Sequence, residues 1–330
     1  MMKKMMNKSK DVVTQLLSGI VFAHEDILER LPKTGIIVRR QRVADQVAVI
    51  SGGGTGHEPA HSGYVGENLL AASINGPIFT PPTREEILMG IEEANQGQGV
   101  FLVIKNFEAD VTNFLEAEEE AIKRGISVKH VIVNDDCSIE KANFKKRRRG
   151  VAGTIFVHKI VAGAAAEGMT LDDLARLAEE VVASLNTLGV ALAPGTLPGT
   201  ENSQFQLAQN EISFGIGIHG EAGYREEPLE SSEKLANELV NKLKTQYRLT
   251  RGSQLAILVN GLGSTPYMEL AIFSNDVRRL LELEGIQIKF KKMGNFMTSL
   301  NMAGVSLTFL ELKEDKWLHY LMLPTDAYGW

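Results

Sequence analysis

The chain has 330 residues, with 35 Lys plus Arg against 41 Asp plus Glu and a formal net charge of −6. That length is long for one hydrophobic core and comfortable for two, and the acidic balance argues against a general nucleic-acid or membrane-surface binder, whose field would be positive. A single cysteine, Cys137, excludes an internal disulfide, and no Cys/His cluster has zinc spacing, so a reducing, cytoplasmic setting without a metal is expected.

The N-terminal MMKKMMNKSK is basic, but it leads into an amphipathic run over residues 11–22 without the apolar centre and small-residue cleavage site of a signal peptide. Short β-rich runs follow at VAVI (47–50), VFLVI (100–104) and VIV (131–133). They alternate with helical periodicity over 84–94, 111–124 and 152–167. This is an α/β rhythm, and continuous apolar strands imply sheets covered on both faces, with chemistry in the loops beyond the strands' carboxyl ends. Residues 187–210, GVALAPGTLPGTENSQFQLAQN and its lead-in, are rich in Gly and Pro and predict a linker or long crossing loop. The expected division is therefore residues 1–186 and 187–330, each an α/β domain with its sheet covered by helices. Beyond the linker the rhythm resumes with FGIGI, a helix over 232–247, the strand LAILV, a helix over 266–284, then IQIKF and VSLTFLEL.

Three loops carry candidate chemistry. The first is Ser51-Gly-Gly-Gly-Thr55-Gly-His57-Glu58-Pro59, directly after a strand. Its glycines let the backbone approach a ligand and present N–H donors. It lacks the Lys-Ser/Thr of a P-loop and the G-x-G-x-x-G spacing of a dinucleotide fingerprint, so the plain alternative is a tight Gly-rich turn. The second is Lys105-Asn106-Phe107-Glu108-Ala109-Asp110, where a carboxylate and two donors suit a small polyhydroxylated ligand, or simply a solvated loop. The third is FGIGIHGEAG, in which His219 ends an apolar strand between glycines. A neutral imidazole there is either a nucleophile toward a carbonyl carbon or a buried structural histidine. Lys145 to Arg149 form five consecutive cations, a pattern of a nucleic-acid or localisation patch that the acidic whole makes better read as a solvated loop, or as a dock for an acidic partner. His24, His61, His130, His158 and His319 lack metal-site spacing and read as structural.

Taken in order, SGGGTGHEPAHSGYVG, KNFEAD, VNDD, RRGVAGT, FGIGIHGEAG, LVNGLGSTP and MTSLNMAGVSLT resemble the motifs of the dihydroxyacetone kinase DhaK-subunit family from about residue 11 to about 312. The resemblance implies two α/β domains, a homodimer, no cofactor, and no nucleotide site. It further implies that His219 holds dihydroxyacetone as a hemiaminal, that His57 and Asp110 match the family's acid and base, and that Gly54, Thr55, Gly56 and Lys105 match its hydroxyl-binding positions. Several positions depart from the kinase pattern: Ala109 and Ala222 where the family has glycine and proline, Asn301 for aspartate, a basic segment before Arg149, and the ending YLMLPTDAYGW. These departures suit a non-phosphorylating branch of the family, one that binds dihydroxyacetone and serves as coactivator of a TetR-like transcription factor. The alternative partner is the nucleotide-bearing kinase subunit. No direct contact with nucleic acid or membrane is expected.

Overall fold

The computed structural model describes residues 3–140, 147–200 and 203–330. In chain order the elements are α1 Val12–Ala23, β1 Leu28–Arg30, β2 Ile36–Arg39, β3 Ala48–Thr55, β4 Ala72–Ile78, α2 Arg84–Ala94, β5 Val100–Lys105, α3 Glu108–Lys123, β6 Val128–Val133, α4 Thr154–Ala166 and α5 Leu171–Ala183. They continue with β7 Leu185–Ala193, β8 Glu211–Phe214, β9 Arg225–Pro228, α6 Ser232–Lys244, β10 Gln254–Gly261, α7 Tyr267–Leu283, β11 Gln287–Gly294, β12 Ala303–Glu311 and α8 Asp315–Met322. No helix among the described residues is long and apolar enough to cross a membrane.

Contacts divide the chain into two compact units. One contains Met1–Val133, Thr154–Glu180 and Tyr320–Trp330; the other contains Asn134–Gly153 and Val181–His319. The units are interleaved along the chain, whereas the expected division was one cut after residue 186. The segment Asn134–Gly153 belongs with the later residues because of buried polar contacts. The Asp135 carboxylate accepts from Thr187 Oγ1 at 2.5 Å, and Arg148 donates to Asn186 Oδ1 at 2.9 Å and to Gln246 Oε1 at 2.6 Å. The C-terminal residues belong with the first unit for similar reasons: Asp326 accepts from Glu67 N, and Gly329 N donates to Gly63 O.

The first unit holds a six-stranded sheet in the order β1-β2-β4-β3-β5-β6, parallel from β4 through β6. Every residue of β3 and β5 is buried, as a parallel sheet covered on both faces requires. Ile50, Ile74, Val100, Leu102 and Ile104 pack on Ile87 and Ile91 of α2 and Phe114 and Ala117 of α3. Helix α2 begins where the sequence places it because Thr83 and Glu86 form a reciprocal capping box, which satisfies two otherwise orphaned N–H groups.

The second sheet runs β11-β10-β12-β7-β8-β9 and is antiparallel except for β10 with β11. Leu188 and Val190, Leu255, Ile257 and Val259, and Val305, Leu307 and Phe309 alternate inward with α6 and α7 residues to form one core. Two expectations change here. Strand β7 occupies Leu185–Ala193, the opening of the expected linker, because Leu188 and Val190 are buried in that core and the strand pairs with both β12 and β8. The FGIGI run is strand only to Phe214, the last residue of β8, and Gly215 turns the chain with φ of 77°.

Candidate functional site

Strand β3 begins as core and ends as a cradle. Ala48 and Ile50 pack inward, and the Gly52-Gly53-Gly54 stretch then removes side chains where the neighbouring strand ends in Lys105. Parallel pairing puts Ser51 opposite Val103, so Lys105, two residues on, reaches the glycines. Gly53 has φ of 148°, and a Cβ there would run into Lys105 Nζ while standing 3.4 Å from Asp110 Oδ1. The bare backbone at Gly53 is thus the floor on which the ammonium and the carboxylate converge. Asp110 comes from the first turn of α3, where a helix N-terminus favours an anion.

Lys105 is buried, and its ammonium is held on two sides: it donates to Gly52 O at 3.1 Å and to His61 Nε2 at 2.7 Å. Burial lowers its pKa, and the nearby charge of Asp110 opposes that shift. Thr55 is also buried, and its Oγ1 has no hydrogen-bond partner among the described residues. Gly56 N donates to Glu58 Oε1 at 2.9 Å, which folds the loop back at the strand end. The His57 ring is wholly buried and stacks on Phe79 with centroids 4.9 Å apart. Within the first unit the structure therefore gathers Gly54, Thr55, Gly56, His57, Lys105 and Asp110 at the carboxyl ends of β3 and β5. That is where open parallel sheets place ligands.

His61 and His158, expected to be structural, are both buried; His61 contacts Lys105 directly, and its ring meets that of His158 at 5.2 Å, edge to face. Burial, then the charges of Lys105, His158 and His57, hold the His61 pKa well below the ordinary value. Burial and Lys105 push His158 down to about 3. The available signal was position: His61 lies four residues beyond His57 in the loop that leaves the glycine-rich strand.

In the second unit His219 lies in a turn five residues past the end of β8. Both oxygens of Glu221 serve this one residue: Oε2 accepts from the His219 backbone N at 3.0 Å, and Oε1 lies 3.0 Å from Nδ1. Gly217 leaves room for this contact, because a Cβ there would displace the Glu221 carboxylate and the Arg149 guanidinium. Burial alone would raise the Glu221 pKa, but the hydrogen bond and charge of His219, with Arg149 at 3.8 Å, bring it to about 2. Glu221 is therefore an anion at neutral pH. A neutral imidazole donating to it from Nδ1 carries its lone pair on Nε2, the form a nucleophile needs.

The basic run resolves into different fates. Lys145 and Lys146 lie outside the described residues, and Arg147 is exposed. Arg148 is buried, donating also to Ile139 O at 2.7 Å, and Arg149 binds Asp136 at 2.6 Å and Gly215 O at 2.8 Å. The expectation of a solvated loop fails for these two arginines, whose charges are absorbed by internal acceptors. Among the described residues no group of three or more His, Cys, Asp or Glu is arranged to hold a metal ion.

The Dak1 domain model matches residues 18–329. The chain is 50% identical over 329 residues to the DhaKLM operon coactivator DhaQ of Lactococcus lactis subsp. lactis, spanning 99% of this chain and 100% of that protein. It is 46% identical to the dihydroxyacetone-binding subunit DhaK of the PTS-dependent dihydroxyacetone kinase of the same organism, spanning 99% of each. Among solved structures, the dihydroxyacetone kinase operon co-activator Dha-DhaQ superposes with a TM-score of 0.92 at 50% identity, covering 96% of this chain and 97% of that one. The dihydroxyacetone kinase of C. freundii superposes with a TM-score of 0.93 at 32% identity, covering 100% of this chain and 60% of that one.

Proposed function

This chain belongs to the Dak1 domain family, and from that premise we propose that it is a dihydroxyacetone-binding sensor acting as coactivator of a TetR-like transcription factor that controls dihydroxyacetone metabolism. His219 is the point of covalent attachment. Its Nε2 adds to the ketone carbon, the carbonyl π pair moves to oxygen, that oxygen takes a proton from water while the ring releases its Nδ1 proton to solvent, and the product is a neutral hemiaminal. The observation that carries this reading is the grip of Glu221 on His219: one carboxylate fixes the ring through Nδ1 and opposes the positive charge the ring gains as the C–N bond forms. A covalent bond to the ketone explains how such a site separates dihydroxyacetone from glycerol, since only the ketone carbon is open to attack.

Gly54, Thr55, Gly56, His57, Lys105 and Asp110 are the proposed ligand-binding residues, and the buried Thr55 hydroxyl supports this by offering a hydrogen bond that no described residue takes. Ligand binding favours the conformation that the transcription factor recognises, and coupling of this kind is reciprocal between the two partners. The protein acts as a cytoplasmic homodimer and needs no cofactor. A second reading has a specific observation behind it: kinase subunits from Lactococcus lactis and Listeria innocua are 46% and 45% identical over essentially the whole chain. In that reading His57 and Asp110 are acid and base for phosphoryl transfer from a nucleotide-bearing subunit.

Two measurements test the proposal. Mass spectrometry from neutral, non-reducing solution, with enough activation to strip non-covalent ligands, is expected to find one triose added to the wild-type chain and none to His219→Ala. Incubation with dihydroxyacetone, a nucleotide-bearing kinase subunit and its phosphoryl source is expected to give no dihydroxyacetone phosphate. Turnover at ~1–100 s⁻¹, ordinary for kinases, replaces the sensor with the kinase reading.

A further inference from the structure

We infer that His61 is a positioning residue for ligand recognition, acting through Lys105 by fixing where its ammonium points. The inference rests on the proposed dihydroxyacetone reading and adds to it a residue outside the proposed ligand set. A lysine ammonium has three hydrogens and no acceptor, and on a flexible four-carbon stem it has no preferred direction of its own. Here the direction is imposed. Gly52 O takes one hydrogen at 3.1 Å and His61 Nε2 takes another at 2.7 Å, so the third is uncommitted among the described residues. Gly53 supplies the space, since any Cβ there would displace the ammonium.

The ring is suited to this task. An ammonium can only donate, so His61 Nε2 must carry a lone pair and the ring proton must sit on Nδ1. Complete burial and the surrounding charges of Lys105, His158 and His57 keep the ring neutral and hence able to accept. His158 packs against it edge to face from α4, and Tyr64 packs on His158 at 5.9 Å, so the His61 ring is backed by a filled interior. The consequence is a single aimed donor beside the Asp110 carboxylate. That pairing recognises a hydroxyl, which accepts from one partner and donates to the other.

The test compares dihydroxyacetone with acetone, which offers the same ketone and neither hydroxyl, by NMR titration of the full-length chain. In wild type dihydroxyacetone is expected to bind far more tightly than acetone. In His61→Phe that preference is expected to fall by ~10-fold or more, as loss of a charge-assisted hydrogen bond implies, while acetone affinity stays within ~3-fold of wild type. His61→Gln, which restores an acceptor, is expected to recover part of the preference. His61→Leu carries the same test should the larger Phe prevent folding. A purely structural role weakens both ketones alike and leaves their ratio unchanged, and that result in a folded variant overturns the inference alone. Failure of the wild-type chain to bind dihydroxyacetone overturns the ligand reading and the inference together.

Discussion

Asp135 offers a quantitative test of how the second unit is held together. Its carboxylate is fully buried and accepts from Val151 N at 2.7 Å, Gly153 N at 2.9 Å and Thr187 Oγ1 at 2.5 Å. Burial nevertheless dominates these hydrogen bonds, and the pKa rises from 3.8 to about 6. Because the folded state holds the proton more tightly than the unfolded chain, protonation favours folding. This contribution is fully present below pH 3.8 and is lost as pH rises through about 6. The gap between those two values corresponds to ~3 kcal/mol of stability lost between pH 4 and pH 7. Asp135→Asn removes the titration. It also exchanges an acceptor for an N–H₂ group facing backbone donors, a cost of ~1–3 kcal/mol at every pH. Urea unfolding of the second unit's transition is therefore expected to show the variant less stable than wild type near pH 4, with the difference shrinking by ~3 kcal/mol toward pH 7. Parallel stability profiles for the two proteins across that range refute the reasoning.

Gly53→Ala is expected to destabilise the first unit by ~2–4 kcal/mol, from backbone strain at φ of 148° and displacement of Lys105 from Gly52 O and His61. Adding Lys105→Met is expected to recover part of that loss in thermal unfolding, and no recovery contradicts the steric account. Arg148→Met is expected to cost ~2–4 kcal/mol in urea unfolding, because acceptors on Ile139, Asn186 and Gln246 lose their donor, whereas exposed Arg147→Ala stays within ~0.5 kcal/mol. Equal, small effects at the two positions count against Arg148 as a clamp.

Much of the fold was legible where local signals agree. Residues 84–94 were expected as a helix and form α2 because a capping box and an apolar stripe act within a few residues of each other. The expected helix over 232–247 forms as Ser232–Lys244, with the Ser231 side chain accepting from Lys234 N. Strand β7 was not legible, since its Gly-containing sequence runs into a Pro- and Gly-rich stretch and resembles a loop. What makes it a strand is pairing with β12, more than a hundred residues away in sequence, and burial of Leu188 and Val190 under α6 and α7. The interleaving of the units was hidden for the same reason. It depends on Asp135, Arg148 and the C-terminal residues finding partners distant in sequence.

The proposed ligand-site residues divide along the same physical line. Gly54, Thr55, Gly56, His57, Lys105 and Asp110 stand out because a strand that ends in glycine, or in a lysine followed by a carboxylate, announces its chemistry within a few residues. His61 and the arginines do not, because their roles are set by what lies across from them. Lys145 to Arg149 form one block of charge in the sequence, yet Arg148 spends its donors on partners 38 and 98 residues away, and Arg149 neutralises Asp136. Of the described members only Arg147 is exposed, so the positive field that the run offers an outside partner is smaller than its composition suggests. Under the proposed function, a surface for a protein partner therefore cannot draw on Arg148 or Arg149 without dismantling the loop that joins Asp136 to Gly215 and to the turn bearing His219. Any docking that engages this run has to leave those two arginines in place.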